Sequence, residues 1–180
     1  MEMCYNTLEM LPNRIWLAGR CFESMQTVTI PMEELVPVLL LQLQRGDRAS
    51  LQVTGNSMAP MLHHRKDTVF LESVKAPLKK GDLILYRRDN GKYVLHRIVR
   101  VRHEGAFVCS GDHQWEPEEV FAHQVLAVVT DFVRDGKAYT NQHRGYRLYV
   151  WCWTAVFPIR RPIIWAWKKF RALCRKIKGK

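Results

Sequence analysis

The 180-residue sequence has few of the features that mark metal sites, disulfide-rich folds or membrane spans. Its five cysteines are scattered and include no Cys-x-x-Cys pair, which argues against a zinc ribbon and against a disulfide framework. No two histidines have the helical i, i+4 spacing of a metal-binding pair. No stretch of about eighteen uncharged apolar residues occurs, so no segment resembles an ordinary transmembrane helix. We therefore expect neither a metal nor another cofactor, and no ordinary membrane span.

Acidic residues are absent from the last quarter of the chain. Residues 136–180 contain twelve of the 28 Lys and Arg residues and no Asp or Glu. The first 135 residues hold the other sixteen basic residues against all seventeen acidic ones, so they are close to neutral. This distribution argues against a basic groove across the folded domain, and we expect no nucleic-acid partner. It favours a basic tail that is attracted to an anionic membrane surface.

The pattern of apolar residues divides the chain into an N-terminal segment, a catalytic β domain and a tail, which cover residues 1–48, 49–135 and 136–180. The N-terminal segment does not resemble a secretory signal, because no long apolar stretch follows a basic start. A helix is predicted at about residues 32–45, between Pro31 and Gly46. Pro37 falls inside this pattern and is expected to kink the helix or to delay its start.

Short β segments separated by turn signals make up the β domain. Asp89-Asn90-Gly91, between two alternating strands, predicts a tight hairpin. Strands this short and closely spaced imply a mainly β fold of coiled antiparallel sheets, preceded by the helix and followed by an amphipathic helical tail. The predicted strands are Ser50–Thr54, Thr68–Val74, Leu83–Arg88, Tyr93–Arg102, Ala106–Ser110 and Val125–Val133.

The most informative local signal is the run Val-Thr-Gly-Asn-Ser-Met-Ala-Pro-Met-Leu at residues 53–62, at the end of the first predicted strand. It places one serine, Ser57, in a turn. A serine hydroxyl is a weak nucleophile unless the fold exposes it and a neighbouring base takes its proton. Gly55 lets the backbone turn closely, and Pro60 fixes the chain that leaves the turn. On this run alone, a serine that merely caps a backbone group is the alternative.

The run resembles the nucleophile box of type I signal peptidases, glycine-x-serine-methionine-x-proline-x-leucine. Residues 81–86, 93–99 and 110–129 resemble the later boxes of that family, in the same order. The second of these contains His96-Arg97, where bacterial signal peptidases usually have lysine and the endoplasmic-reticulum-type branch, found also in archaea, has histidine and arginine. The chain therefore resembles a signal peptidase I-like serine protease of the histidine-bearing branch, which implies the fold shared by signal peptidases and self-cleaving repressors.

The resemblance implies the catalytic residues Ser57, His96 and Asp112. Ser57 would be the nucleophile, and neutral His96 would accept its proton, since histidine titrates near neutral pH. A carboxylate on the second ring nitrogen usually orients such a histidine. We expect Asp112 in this role, with Glu116 as the second candidate. The oxyanion would be held by the Ser57 backbone N–H and a second donor near Gly55.

The tail interleaves aromatic and basic residues. Residues 146–180 contain four of the six tryptophans. Trp and Tyr favour the membrane–water boundary, and Lys and Arg favour anionic headgroups. Arg160 and Arg161 interrupt the apolar stretch, and two central arginines cost a membrane span roughly 5–7 kcal/mol. We predict two short amphipathic helices in the membrane interface, broken at residues 158–162. The alternatives are a helix pair packed on the domain and an RNA-binding tail.

The predicted function is a serine endopeptidase that removes an N-terminal leader or signal peptide and is peripherally attached to a membrane through its tail. By resemblance, the substrate binds extended between Gln52–Asn56 and Tyr93–His96, with small residues at the first and third positions before the cut. One alternative is a self-cleaving repressor-type protease, which uses a serine–lysine pair and a DNA-binding helix-turn-helix. Residues 1–48 show no convincing helix pair of that kind, and Lys92 is out of place for the base. The other alternative is an inactive peptide-binding module.

Overall fold

Eight strands and two helices make up the part of the chain that a computed structural model describes, residues 31–114 and 116–157. The predicted mainly β fold, with one helix before the sheet and one after it, is confirmed. In chain order the elements are α1 (Met32–Gln44), β1 (Ala49–Gln52), β2 (Thr68–Glu72), β3 (Leu83–Arg87), β4 (Tyr93–Val101), β5 (Ala106–Ser110), β6 (Glu118–Phe121), β7 (Val125–Arg134), β8 (Lys137–Thr140) and α2 (Arg144–Ala155).

The strands form one antiparallel sheet in the order β1-β2-β7-β3-β4-β5-β6, with β8 paired to β7. Register shifts interrupt the β2–β7, β3–β7 and β4–β5 ladders, and such irregularities bend a sheet. The predicted hairpin at Asp89-Asn90-Gly91 joins β3 to β4, and Gly91 adopts a φ of +82° there. The curled sheet thereby brings its two ends near the serine turn that follows β1.

α1 packs its apolar face on the sheet. Its buried residues belong to the same apolar cluster as core residues of β1, β2, β3 and β7. Glu33 and Glu34 lie in the first turn, where the helix dipole favours negative charge. The helix does not start late, as Pro37 had suggested, but begins at Met32 and continues through that proline. Burial of Val36 and Leu39 on either side holds this turn against the core.

The sequence pattern did not predict two of the strands. β6 and β8 are each only four residues long, and most of their side chains are exposed, so they lack a clear apolar alternation. Because β8 pairs with β7, the sheet extends past the predicted domain boundary at residue 135. Residues 1–30, and the second predicted tail helix within residues 158–180, lie outside the described residues.

α2 is attached to the sheet by a buried ion pair. Arg97 of β4 donates from Nε and Nη2 to the two carboxylate oxygens of Asp112, at 2.9 and 2.8 Å. Its Nη1 donates to the Gly81 carbonyl and to the hydroxyl of Tyr146 on α2, and the hydroxyl of Tyr149 donates to Asp112 at 3.0 Å. Burial alone would lower the pKa of Arg97, but the facing carboxylate raises it well above its ordinary value. The pair therefore stays ionised inside the protein.

The opposite face of α2 is apolar and exposed. Leu148 and Trp151 are 62% and 69% exposed and lie one turn apart. Exposed Cys152 and Ala155 continue the same stripe. α2 is thus amphipathic and also packs on the domain, which was the alternative for the tail. Within the described residues, no helix combines the length and apolar character that a membrane span requires.

Candidate active site

Ser57 lies in a tight turn after β1. The side chains of Met58, Met61 and Leu62 are buried in the core and anchor this turn. The N–H groups of Met61 and Leu62 both donate to the Met58 carbonyl, at 3.0 Å. Ser57 itself is only partly buried. The apolar residues that follow the serine therefore fix the turn, while the serine stays accessible.

Gly55 shapes the backbone just before the serine. Its φ of +94° lies in the left-handed region that favours glycine. Its N–H donates to Nδ1 of His64 at 2.8 Å. The second oxyanion donor expected near Gly55 would therefore be a different group from this N–H. Among the described residues, no group accepts a hydrogen bond from the Ser57 N–H. That N–H is available to a substrate carbonyl oxygen.

His96 lies on β4 and is 2% exposed. The register of β3 places Tyr86 on the same face of the sheet. On the other side of β4, Ile98 lies two residues after His96 and therefore on the same face of the sheet. Ile98 pairs with Cys109 of β5, and Cys109 pairs with Glu118 of β6, so Glu118 lies on this face as well. Nδ1 of His96 lies 3.0 Å from Glu118 Oε1 and 3.0 Å from the Tyr86 hydroxyl oxygen. The sheet thus supplies His96 with a carboxylate partner.

Glu118 is ionised and fixes the tautomer of His96. Arg88 donates to its two oxygens at 2.6 and 2.7 Å, and the Tyr86 hydroxyl donates to Oε1. Burial alone would raise the pKa of Glu118, but hydrogen bonds from His96, Arg88 and Tyr86 outweigh it and lower the pKa to about 2. A carboxylate only accepts hydrogen bonds, so we assign the proton of the neutral ring to Nδ1. Nε2 is then unprotonated and can act as a base.

Two other titratable groups on this face stay neutral. Burial, together with the hydrogen bond to Glu118 and its charge, raises the pKa of Tyr86 well above its ordinary value. Burial and the charge of Glu118 raise the pKa of Cys109 to about 12. Neither group supplies a base or a nucleophile near neutral pH. On this face of the sheet, His96 is therefore the candidate base.

Gly111 brings the serine turn and the histidine together. A Cβ at this position would lie 2.5 Å from the Ser57 carbonyl oxygen and 3.1 Å from Nε2 of His96. The N–H of His113 donates to the same carbonyl at 2.8 Å. Nε2 therefore faces the Ser57 backbone across Gly111. In the described part of the chain, the hydrogen bonds of His96 are those of Nδ1, and none joins Ser57 Oγ to Nε2.

The acid beside His96 differs from the predicted one. Asp112 lies in the turn after β5, and both of its oxygens are bound by Arg97, which points to the opposite face of β4 from His96. This corrects the assignment of Asp112 as the orienting acid. The second candidate, Glu116, is exposed. The carboxylate on Nδ1 is Glu118, which the sequence reasoning missed.

A strand edge and a small pocket lie beside Ser57. β5 pairs with β4 only from Arg97 onward, so no described strand pairs with this edge of β4 at residues 94–96. An extended peptide could be added at such an edge, with one side chain in the pocket. The pocket is lined by the apolar side chains of Val53, Met58, Leu85 and Leu95 together with Thr54, Tyr93 and Ser57.

Other parts of the structure offer less chemistry. A larger open cavity of about 520 Å³ lies between β1, β2, β7 and β8, and neither Ser57 nor His96 lines it. In residues 31–114 and 116–157, no three His, Cys, Asp or Glu side chains are grouped so that they could hold a metal ion. Ser57 and His96 are therefore the candidate site.

Comparison with known proteins shows that a family model matches the chain. A family model described as Peptidase S24-like matches residues 18–131, which is more than half of the chain. The matched segment includes Ser57, His96 and Glu118. No curated protein matches the chain. The match supports the superfamily that the sequence boxes resemble, and it does not single out the histidine-bearing branch.

Replacing Glu118 tests its role beside His96. Glu118→Gln should slow the reaction of Ser57 with a fluorophosphonate, a reagent that modifies activated serines, by roughly 10²–10⁴-fold. Glutamine neither enforces the Nδ1–H tautomer nor stabilises the imidazolium that forms when Ser57 loses its proton. The rate is measured as the mass increase of the intact chain. Glu116→Gln, at an exposed carboxylate, is the matched control and should react at the wild-type rate. Equal rates for both variants would contradict the assignment.

Adding a methyl group at Gly111 tests whether the turn that contains Ser57 and the loop that contains Gly111 must lie this close together. Gly111→Ala should slow the same reaction by at least roughly 100-fold, because the new Cβ would push the Ser57 carbonyl away from His96. Circular dichroism should show that the fold is kept. Gly145→Ala on α2 is the control, since its φ is not in the left-handed region and a Cβ there meets only the exposed His143 side chain, at 3.3 Å. A wild-type rate in Gly111→Ala would show that the loops do not need this close contact.

Proposed function

Since the chain belongs to the Peptidase S24-like family, a family of serine proteases, we propose that it is a serine endopeptidase with Ser57 as nucleophile and His96 as general base. The family includes both signal peptidases and self-cleaving repressors. The observation that carries the proposal is the partly buried His96–Glu118 pair, in which Nε2 of His96 faces the Ser57 backbone.

The proposed reaction follows from the contacts of these groups. Ser57 Oγ attacks the substrate carbonyl, and its proton passes to Nε2 of His96. Glu118, kept ionised by Arg88, stabilises the resulting imidazolium through Nδ1–H. The Ser57 N–H donates to the developing oxyanion. His96 then returns the proton to the leaving amine, and a water molecule, deprotonated by His96, hydrolyses the acyl-enzyme.

We propose an extended leader or signal peptide as the substrate. Two observations support it: the β4 edge at residues 94–96 has no described strand partner, and the pocket beside Ser57 is small. The self-cleaving repressor reading requires a lysine base. Lys92 is exposed in the turn between β3 and β4, whereas His96 occupies the base position. We therefore favour cleavage of another chain, by the histidine-bearing mechanism.

We further propose that α2 attaches the enzyme peripherally to an anionic membrane. The exposed stripe of Leu148 and Trp151 is of the kind that enters a membrane interface. Arg144 and Arg147 on the same helix are exposed, and residues 136–180 contain no acidic residue that would oppose binding to anionic headgroups.

Ser57→Ala tests the proteolytic function. Purified wild-type chain and the variant are incubated with a panel of precursor proteins that carry N-terminal leader or signal segments, and new N termini are identified by mass spectrometry. We expect wild type to cut within or just after these segments, Ser57→Ala to leave them intact, and His96→Ala to cut at least roughly 10³-fold more slowly.

Each alternative function gives a different result in this assay. Products that persist with Ser57→Ala would refute the serine mechanism. Concentration-independent cleavage of the chain itself, with the precursors left intact, would favour the self-cleaving repressor reading. Retention of the precursors without any cleavage would favour the peptide-binding module.

The membrane proposal is tested by substitutions on the outer face of α2. A truncation at residue 146 would also remove Tyr146 and Tyr149 from the buried ion pair, so it cannot separate binding from folding. Trp151→Glu should weaken sedimentation with phosphatidylglycerol-containing vesicles by roughly tenfold, through lost apolar burial and added charge repulsion. Val101→Glu adds the same charge at a side chain that is 44% exposed on β4 and should bind like wild type. Equal binding by both variants would refute the assignment of this face.

A further inference from the structure

The pocket beside Ser57 contains a buried hydroxyl that has no partner. Thr54 lines this pocket together with Ser57. It is only 7% exposed, and among the described residues its Oγ1 makes no hydrogen bond. Buried hydroxyl groups in folded proteins nearly always have a partner, because an unsatisfied one loses its hydrogen bond to water without compensation. A polar group that enters the pocket could therefore supply the hydrogen-bond partner that Thr54 Oγ1 lacks among the described residues.

The size of the pocket limits what can enter. Its free volume is about 10 Å³, which is room for a single water-sized group. A methyl or hydroxymethyl group fits this space, and a branched or longer side chain does not. Because Ser57 forms part of the wall, the side chain that enters belongs to the residue whose carbonyl Ser57 attacks, the residue just before the cut.

Serine and alanine are the two side chains of this size that differ in hydrogen bonding. Alanine would displace water from the pocket and leave Thr54 Oγ1 without a partner. A serine hydroxyl could donate to Thr54 Oγ1 or accept its proton. Sites that contain a buried polar group of this kind discriminate against analogues that lack the matching group.

We propose that Thr54 determines specificity by selecting serine over alanine at the residue before the cleaved bond. This inference rests on the proposed peptidase function and adds a chemical preference to the expected small residue. One hydrogen bond of this type favours serine by roughly tenfold, when the cost of an unsatisfied hydroxyl is included.

The preference is measured with a peptide library prepared from a proteome, with Ser57→Ala as the background. Mass spectrometry counts the residue that precedes each new cut, relative to its frequency in the library. Wild type should show serine enriched over alanine by at least about threefold. Thr54→Val, which keeps the shape and removes the hydroxyl, should change the serine-to-alanine ratio about tenfold in favour of alanine. Thr54→Ser, which keeps the hydroxyl, should retain the serine preference.

The outcomes separate the two proposals. Cleavage with the same serine-to-alanine ratio in wild type and Thr54→Val would overturn the role of Thr54 while leaving the peptidase function in place. Absence of any Ser57-dependent cut would overturn the peptidase function, and this inference with it. If Thr54→Val loses stability in thermal melting, the comparison of wild type with Thr54→Ser still decides, since an alanine preference in both would contradict the proposal.

Discussion

The buried pair of Arg97 and Asp112 is the contact on which the arrangement of the site depends. It joins β4, the loop after β5 and α2, and both side chains are almost completely shielded from solvent, with exposures of 0% and 2%. Removal of one partner from such a pair leaves a buried charge uncompensated and typically costs about 3–5 kcal/mol. The three elements therefore cannot shift independently. Because His96 directly precedes Arg97 on β4, and Gly111 directly precedes Asp112, the pair also fixes the separation between His96 and the loop that contacts Ser57.

Strand alternation lets β4 present two side chains, each paired with a carboxylate, on opposite faces of the sheet. Arg97 points toward the main core and α2, where its pair with Asp112 is structural. His96 points to the other face, where Glu118 fixes the proton on Nδ1. The carboxylate can do this because Arg88 keeps it ionised. The same strand thus carries the residue that packs in the core, Arg97, and the proposed base, His96. Only a change of register would move His96 to the core face and Arg97 to the face of Glu118.

Ser57 and His96 could be predicted because each lies in a short run that resembles a box of the signal peptidase family: Gly-x-Ser-Met-x-Pro-x-Leu around the serine, and His-Arg on a β segment for the histidine. The orienting acid could not be predicted in the same way. Its identity depends on the register between β5 and β6, which the intervening loop does not reveal. Glu118 and Glu119 are adjacent acids on one strand, and only the pairing of Glu118 with Cys109 puts it on the face of His96. β6 and β8 were missed because they are short and polar, and the inner face of α2 was missed because its contacts are tyrosine hydroxyls rather than an apolar stripe.

The central claim is that Glu118 holds the proton of His96 on Nδ1 and leaves Nε2 available for Ser57. Long-range ¹H–¹⁵N correlation spectra of the histidine rings, with His96 assigned by its absence in His96→Ala, measure this tautomer directly. The account predicts that the neutral His96 ring is protonated at Nδ1 and unprotonated at Nε2. A neutral ring protonated at Nε2 would contradict it, because that nitrogen could not then accept the serine proton.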